Sequence, residues 1–369
     1  MTTILSDISA IRYWRRLSTR GGLGAVHGLL PLAPKDLGDI ALPSRRGPIP
    51  SGPPNAREIG LLEHYALAPA EGPLSLVVRE KADRRELRNV RSHACSLELP
   101  ARCIYPVVVR GKALEGIYVS SPELALAQTS LDDGISFVDR LRLAMELCGT
   151  YRLTDEGATY RCPALTSTDD LMRFIRRALG LRGRMSSIST FSHAMDGSAS
   201  PAETDIALSL SLPMRHGGSR LGKPVLNETI VLNENARVIL GREVITPDLL
   251  FSNAKRHGIR FPVEYESREF HSEQEQATYD EKRRNTYAAM GMACFLAKPH
   301  HLAKTREYEA MAATIQANIG KRLGEPAPGY WALHQKLLDE TLAAWRTNGR
   351  KSFERQLESI ETYENWTSA

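Results

Sequence analysis

The sequence predicts an α+β N-terminal half, an α/β C-terminal half with a central sheet, and helices at the C-terminal end. Short β-rich runs fill residues 74–119, and helix signals follow at Ser121 and Ser136. Between residues 200 and 300 the pattern changes to helix, strands, helix and strand. After Pro299 apolar residues recur at helical spacing.

Composition places the chain among ordinary globular proteins. It has 369 residues, a formal net charge of +5, 42% hydrophobic and 25% charged residues. No apolar run reaches the roughly 20 residues that span a bilayer, and the N-terminus lacks the order of a signal peptide. The five cysteines have neither disulfide nor zinc spacing. We therefore expect a cytoplasmic protein without a membrane partner, whose mildly basic charge permits a nucleic-acid partner.

Four regions follow from the pattern along the chain. Residues 1–165 form the α+β domain, and residues 166–195 a basic helical connector. Residues 196–303 form the α/β domain, and residues 304–369 a helical extension. In the α/β domain we expect helices over Ser200–Leu212 and Glu273–Met290, a hairpin from Thr229–Leu232 and Arg237–Leu240, and strands over Glu243–Phe251, Arg260–Ser267 and Met292–Ala297.

The connector is rich in arginine. One interpretation is a solvated helix face, which is common on surface helices. The other is a surface that contacts DNA phosphates. The candidate contacts there are Arg176, Arg177, Arg182 and Arg184.

Carboxylates in the α/β domain are the candidate catalytic and metal-binding residues. Asp248 opens an apolar strand, and Glu264 and Glu266 alternate on the next strand, so both point to the same face. Glu203 lies near the start of a helix, and His271 follows Glu266 by five residues. Oxygen ligands of this kind suit Mg²⁺, which can polarise a phosphate and lower the pKa of an attacking water.

Each of these residues also has a structural interpretation. Glu203 is the third residue after Ser200, the spacing of a capping box. Asp248, which follows Thr246-Pro247, fits the end of a turn. Glu264 and Glu266 fit the solvated face of a half-buried sheet, and His271 fits a surface loop.

Six short segments together resemble a bacterial family of unknown function, related to very-short-patch-repair (Vsr-like) endonucleases of the PD-(D/E)XK superfamily. They cover about residues 195–302 in the family's order: Asp196-Gly-Ser-Ala-Ser-Pro-Ala-Glu-Thr, Lys223-Pro-Val-Leu-Asn, Pro247-Asp-Leu-Leu, Val263-Glu-Tyr-Glu-Ser, Phe270-His and Asp280-Glu-Lys-Arg-Arg-Asn-Thr-Tyr-Ala-Ala-Met-Gly.

The resemblance implies a restriction-endonuclease-like fold, a central mixed sheet flanked by helices. It also implies that Glu203, Asp248 and Glu264 bind Mg²⁺ or Mn²⁺. Glu266 departs from the pattern, because relatives carry Asp there and the wider superfamily a water-positioning Lys. His271 would take over part of that lysine's role.

The helix signature of the family contributes further candidates. Asp280 and Arg283 match it, and the alternative for them is a structural ion pair. Asp280 and Arg284 also have the i,i+4 spacing of such a pair. Arg283 and Arg284 are candidate DNA contacts.

The N-terminal half resembles the C-terminal domain of AbiEi-like abortive-infection antitoxins. The resemblance rests on Gly116-Ile-Tyr-Val-Ser-Ser-Pro-Glu-Leu-Ala-Leu-Ala and on the strands around His93. The winged-helix part that precedes this domain in antitoxins is not recognisable.

Two functions follow as hypotheses. The first is a Mg²⁺-dependent DNA endonuclease in defence or repair, in which Asp248 and Glu264 bind the metal, Glu203 assists through water and His271 positions or deprotonates the nucleophile. The second is a catalytically degenerate nuclease fold that binds DNA or a partner protein as an antitoxin-like regulator. The sequence leaves the oligomeric state and the choice between DNA and RNA open.

Overall fold

A computed structural model describes residues 3–19, 47–48, 53–65, 67, 73–84, 89–96, 98–99, 103–109, 112–154, 157–253, 258–265 and 273–342. The chain divides into two compact units, Met1–Ala194 and Met195–Ala369, here called unit 1 and unit 2. The predicted connector therefore lies within unit 1, and the predicted extension within unit 2. Both units combine helices with sheets of mixed strand direction, which confirms the predicted α and β content at this level.

In the described part of unit 1, five strands form a mixed sheet in the order β4-β3-β1-β7-β6. The short strand β1 lies at its centre, parallel to β7 and antiparallel to β3, and β4 is an edge strand. The central strands are buried and rich in Leu, Ile and Val, as expected for strands covered on both faces. The strands of the sheet are β1 (Thr3–Leu5), β3 (Leu74–Val78), β4 (Val90–Ala94), β6 (Ile104–Val109) and β7 (Lys112–Ser120).

Short two-stranded ladders and six α-helices complete the described part of unit 1. The ladders pair β2 (Gly47–Pro48) with β5 (Glu98–Leu99), and β8 (Arg152–Thr154) with β9 (Gly157–Thr159). A 3₁₀ turn covers Lys81–Asp83. The helices are α1 (Asp7–Thr19), α2 (Ala56–His64), α3 (Pro122–Thr129), α4 (Phe137–Leu147), α5 (Thr168–Arg177) and α6 (Arg184–Phe191).

Helices α5 and α6 are part of the core of unit 1. Leu171 and Ile175 on α5 are fully buried, and Phe191 on α6 is 1% exposed. The Ser187 hydroxyl on α6 hydrogen-bonds to that of Ser130, which follows α3, at 2.8 Å. This basic segment is thus amphipathic, with its apolar face against the rest of unit 1.

Unit 2 contains a mixed sheet whose four described strands run in the order β10-β13-β14-β15. Strands β10, β13 and β14 are antiparallel neighbours, whereas β15 runs parallel to β14. Helix α9 connects β14 with β15, as a parallel connection requires. The bounds are β10 (Val225–Leu226), β13 (Leu249–Asn253), β14 (Ile259–Tyr265), α9 (Glu273–Ala289) and β15 (Phe295–Ala297).

The predicted hairpin in unit 2 is wrong in its second strand. Residues 234–240 form helix α8 (Glu234–Leu240), and the partner of β11 (Ile230–Val231) is β12 (Val244–Ile245). The Asn233 side chain accepts a hydrogen bond from the Ala236 N–H at 2.9 Å and so caps the helix.

The remaining helices of unit 2 lie before and after its sheet. Tyr308, Met311 and Ile315 are buried, and Tyr308 OH lies 3.1 Å from the Ser219 hydroxyl. Among all described residues, no helix is long and apolar enough to cross a membrane. The helices are α7 (Pro201–Ser211), α10 (Pro299–Ala303), α11 (Thr305–Asn318) and α12 (Tyr330–Thr341), with a 3₁₀ turn at Met214–His216.

Candidate active site

Asp248 and Glu264 lie side by side at one end of the β13–β14 hairpin. Leu249 pairs with Val263, and this antiparallel register brings Asp248, just before β13, opposite Glu264. Opposed residues of an antiparallel pair point to the same face. The backbone N–H of Tyr265 donates to Asp248 Oδ2 at 2.6 Å, which fixes the carboxylate at the strand end. Glu264 is 6% exposed.

Glu203 reaches the same region from the first turn of α7. Ser200 caps this helix by accepting the Glu203 N–H at 3.1 Å, and its hydroxyl donates to Glu203 Oε1 at 3.0 Å. Glu203 Oε2 accepts the Ala199 N–H at 2.9 Å and the Asn227 side-chain amide at 2.7 Å. Ser200 caps the helix as predicted, but the Glu203 carboxylate accepts the Ala199 N–H rather than the Ser200 N–H, so the reciprocal half of a capping box is not formed.

The three carboxylates act on one another electrostatically. We call Glu203, Asp248 and Glu264 the carboxylate cluster. Burial raises the pKa of Asp248 well above its ordinary value, and the charges of Glu203 and Glu264 raise it further. Burial also raises the pKa of Glu203, against the effect of its hydrogen bonds, and Glu264 adds to the rise. Like charges shift pKa values in this way only at short range.

Helix α9 supplies the cation of the site. Arg283 forms an ion pair with Glu264, and Tyr287, one helical turn later, donates a hydrogen bond to the same carboxylate oxygen. The Arg283 guanidinium also donates to the Thr246 carbonyl at 3.0 Å. Tyr287 is fully buried. These contacts hold Glu264 in place from the helix that connects β14 with β15.

Sequence reasoning did not identify Tyr287, and it considered Asp280 rather than Glu264 as the partner of Arg283. The i,i+4 spacing of Arg283 and Tyr287 could have indicated that both side chains lie on the same face of the helix and reach the same partner. Glu266 and His271 lie outside the described residues.

The cluster suits a divalent cation in charge and in donor type. The cluster contains three carboxyl groups and one neighbouring guanidinium, so a bound divalent cation would offset the repulsion that raises the pKa of Asp248, and hard divalent cations prefer oxygen ligands. Within the described residues, however, no group of three His, Cys, Asp or Glu side chains is arranged as a ready ligand set. Glu203 and Glu264 already have hydrogen-bond partners, so binding a cation requires some of these contacts to change.

The candidate DNA contacts lie in different environments. Arg176, Arg177 and Arg182 are exposed in unit 1, and Arg284 is exposed on α9 of unit 2. Arg184 instead donates to the Ile175 and Arg176 carbonyls at 2.9 and 3.0 Å, and so caps the C-terminus of α5.

Comparison of the chain with protein-family profiles, with curated proteins and with solved structures finds no match.

Proposed function

We propose that the protein is a metal-dependent endonuclease that hydrolyses phosphodiester bonds in DNA. The observation that carries this proposal is the convergence of Glu203, Asp248 and Glu264, which come from three separate chain segments. Their mutual repulsion in a largely buried site opposes ionisation, as the raised pKa values of Asp248 and Glu203 indicate. Sites that keep such an arrangement are candidates for catalysis or metal binding.

The arrangement of unit 2 supports the same proposal. A helix, three antiparallel strands, a helix and a fourth strand parallel to the third form a mixed sheet with helices. This agrees with the central mixed sheet of the PD-(D/E)XK superfamily, which we propose as its fold. The cluster lies where α7, β13 and β14 approach one another.

Each residue of the site has a proposed role. Asp248 and Glu264 would hold Mg²⁺ or Mn²⁺, with Glu203 acting through a bound water. The cation would supply Lewis acidity and a water of lowered pKa. Arg283 orients Glu264 and adds a positive charge beside the substrate phosphate. His271 is proposed as the group that positions or deprotonates the nucleophile.

A second candidate function has its own supporting observation. Arg283 and Tyr287 engage Glu264, and Ser200, Ala199 and Asn227 engage Glu203. A cluster held by protein donors in this way is compatible with a binding module that contacts DNA or a protein without cutting.

A cleavage assay separates the two functions. Purified protein is incubated with supercoiled plasmid in Mg²⁺, in Mn²⁺ and in EDTA, beside Asp248→Asn and a control, Glu325→Gln, which changes an exposed carboxylate in unit 2. We expect metal-dependent nicking that falls roughly 100-fold in Asp248→Asn, because a metal ligand is lost, and that is unchanged in the control.

Thermal unfolding of the same proteins provides a second measurement. In EDTA, Asp248→Asn should unfold at a higher temperature than the wild type, because it removes one of three repelling carboxylates. Mn²⁺ should raise the unfolding temperature of the wild type and leave that of the variant unchanged. A wild type that neither nicks DNA nor gains stability from either cation would contradict the nuclease and favour the binding module.

A further inference from the structure

Unit 1 carries a group of exposed arginines, whereas the carboxylate cluster lies in unit 2. No acidic residue occurs between Asp170 and Asp196, whereas five arginines do. Arg176 and Arg177 are exposed at the end of α5, and Arg182 is exposed in the loop that leads to α6. The Arg184 guanidinium, at the start of α6, donates to the Ile175 and Arg176 carbonyls and so ties the two ends of this loop together.

Two further arginines extend this surface to the edge of the sheet. Arg91 and His93 alternate on the edge strand β4, so both side chains point to one face. Arg84 follows the 3₁₀ turn after β3. Arg91 forms a 2.9 Å ion pair with Asp132, and a Cβ atom on Gly183, next to Arg182, would lie 3.1 Å from the neighbouring Leu131 side chain. Strand β4 and the α5–α6 loop therefore approach the same turn after α3, and the charges of Arg84, Arg91 and Arg182 all act on His93.

His93 is suited to respond to an anion at this place. It is half-buried, and among the described residues its Nε2 atom is buried without a hydrogen-bond partner. Burial lowers its pKa, Arg91, Arg84 and Arg182 lower it further, and Asp132 acts in the opposite direction. Asp132 also forms a 2.9 Å ion pair with Arg91. The arginines around His93 therefore outnumber the acid.

We propose that the arginines at residues 84, 91, 176, 177 and 182 form a second nucleic-acid surface, which binds the phosphodiester backbone of DNA outside the carboxylate cluster. This inference rests on the proposed function in taking DNA as the ligand. It goes beyond that function in assigning to unit 1 a binding role that needs neither metal nor cleavage. We call these residues the arginine surface.

The chemistry of the arginine surface favours nucleic acid over an anionic membrane. All five charged side chains of the arginine surface are arginines. A guanidinium group can donate two parallel hydrogen bonds to the oxygens of one phosphate. Two large apolar side chains are exposed near these arginines: Leu179 in the α5–α6 loop is 72% exposed, and Met185 on α6 is 69% exposed. Two isolated apolar side chains do not form the continuous apolar face with which interfacial helices enter a membrane.

The test measures binding of the full-length protein to a fluorescein-labelled 20-base-pair DNA duplex in EDTA, where cleavage is suppressed. The variant Arg176→Ser/Arg177→Ser/Arg182→Ser is compared with the control Arg57→Ser/Arg306→Ser/Arg322→Ser, which removes the same charge from exposed positions elsewhere. We expect the first variant to weaken binding ~10-fold or more at 0.1 M salt and to reduce the slope of log Kd against log salt by about 2–3. The control should stay close to the wild type.

A pH series adds a readout that a general charge effect would not produce. Bound phosphates should raise the pKa of His93, so the affinity of the wild type should increase as the pH falls from about 8 to 6. His93→Gln should lose this dependence and keep the folded circular-dichroism spectrum.

Equal DNA affinity in both triple variants would overturn the proposal, even if the protein cuts DNA. Loss of binding to vesicles containing phosphatidylserine, with DNA affinity intact, would assign the arginine surface to membranes and also overturn it. Conversely, selective loss of DNA affinity in a protein that never nicks plasmid would support the surface and contradict only the nuclease.

Discussion

Asp7 places a carboxyl group in the interior of unit 1, at the junction of β1 and α1. Its side chain is 1% exposed, and no described residue makes a hydrogen bond of normal geometry to either oxygen. Burial raises its pKa to about 6 and the charge of Asp132 adds to this, against the effects of the Ile8 amide, Arg91 and Arg140. Its backbone is left-handed, with φ at 49°. A buried, strained acid of this kind lowers the stability of the fold when it ionises.

Asp7→Asn should therefore stabilise the protein at high pH. The folded-state pKa of Asp7 lies above its ordinary value of 3.8, so stability is lost as the pH rises from about 4 to 6, and the loss is complete above 6. A shift of this size corresponds to about 3 kcal/mol in the free energy of unfolding. Asn also tolerates the left-handed backbone.

Urea unfolding at pH 8 and pH 4 measures this effect. We expect Asp7→Asn to gain up to about 3 kcal/mol at pH 8 and little at pH 4. Asp133→Asn, at an exposed position, should change little at either pH. An equal gain at both pH values would mean that ionisation of Asp7 is not the cause.

At the residue scale, the sequence pattern selects Glu203, Asp248, Glu264, Glu266 and His271 as candidates, and the family resemblance singles out Glu203, Asp248 and Glu264 as the metal-site positions. Acids that begin or interrupt apolar strands, or cap a helix, are visible in a single sequence. The ion pair of Arg283 with Glu264 was not, because it joins a helix to a strand 19 residues away. Such partners depend on how the helix is rotated against the sheet, which the apolar pattern alone does not determine.

At the element scale, helix α8 explains the wrong strand prediction. Val238 and Ile239 are β-branched and favour a strand. They are 81% and 37% exposed, so they do not form the buried face that a strand prediction assumed. Asn233 at the start and Gly241 at the end, with φ at 73°, are helix cap signals that prevail over β propensity here.

The 3₁₀ turn Met214–His216, which ends at Gly217 and packs against α12, provides an element-scale prediction. Gly217 has φ at 81°, and a Cβ atom there would lie 2.3 Å from the Leu333 carbonyl oxygen on α12. Its own carbonyl also contacts His334 Nδ1. Gly217→Ala should therefore separate α12 from this turn and cost more than about 2 kcal/mol of unfolding free energy.

Gly241→Ala is the matched control for this turn. Gly241 has a similar φ of 73°, but nothing lies within 4 Å of the position of its Cβ atom. It should cost only the backbone term, about 1–2 kcal/mol. Urea unfolding compares the two, and a similar loss in both would show that the contact with α12 does not contribute.

At the scale of the whole molecule, the four regions predicted from the sequence fall into two compact units, Met1–Ala194 and Met195–Ala369. Residues 166–195 are predicted as a connector because of their arginines, and the helices after residue 303 as an extension because the family resemblance ends near residue 302. Their buried stripes are narrow and hold between two and five side chains in each helix, such as Tyr308, Met311 and Ile315 on α11. A stripe of this width indicates that a helix packs against something, but not which unit it packs against.

This allocation leads to a prediction about fragments of unit 2. Residues 195–369 should unfold in one cooperative thermal transition, since they contain their own sheet and core. Residues 195–303 should not fold stably, because they lack Tyr308, Met311 and Ile315 of α11 and Leu338 of α12, all of them buried. At roughly 1.5–3 kcal/mol for each buried apolar side chain, the loss exceeds about 5 kcal/mol, which is comparable with the total stability of a domain. Circular dichroism during heating measures both fragments. A cooperative transition in the shorter one would show that α11 and α12 are dispensable for this core, as a peripheral extension would be.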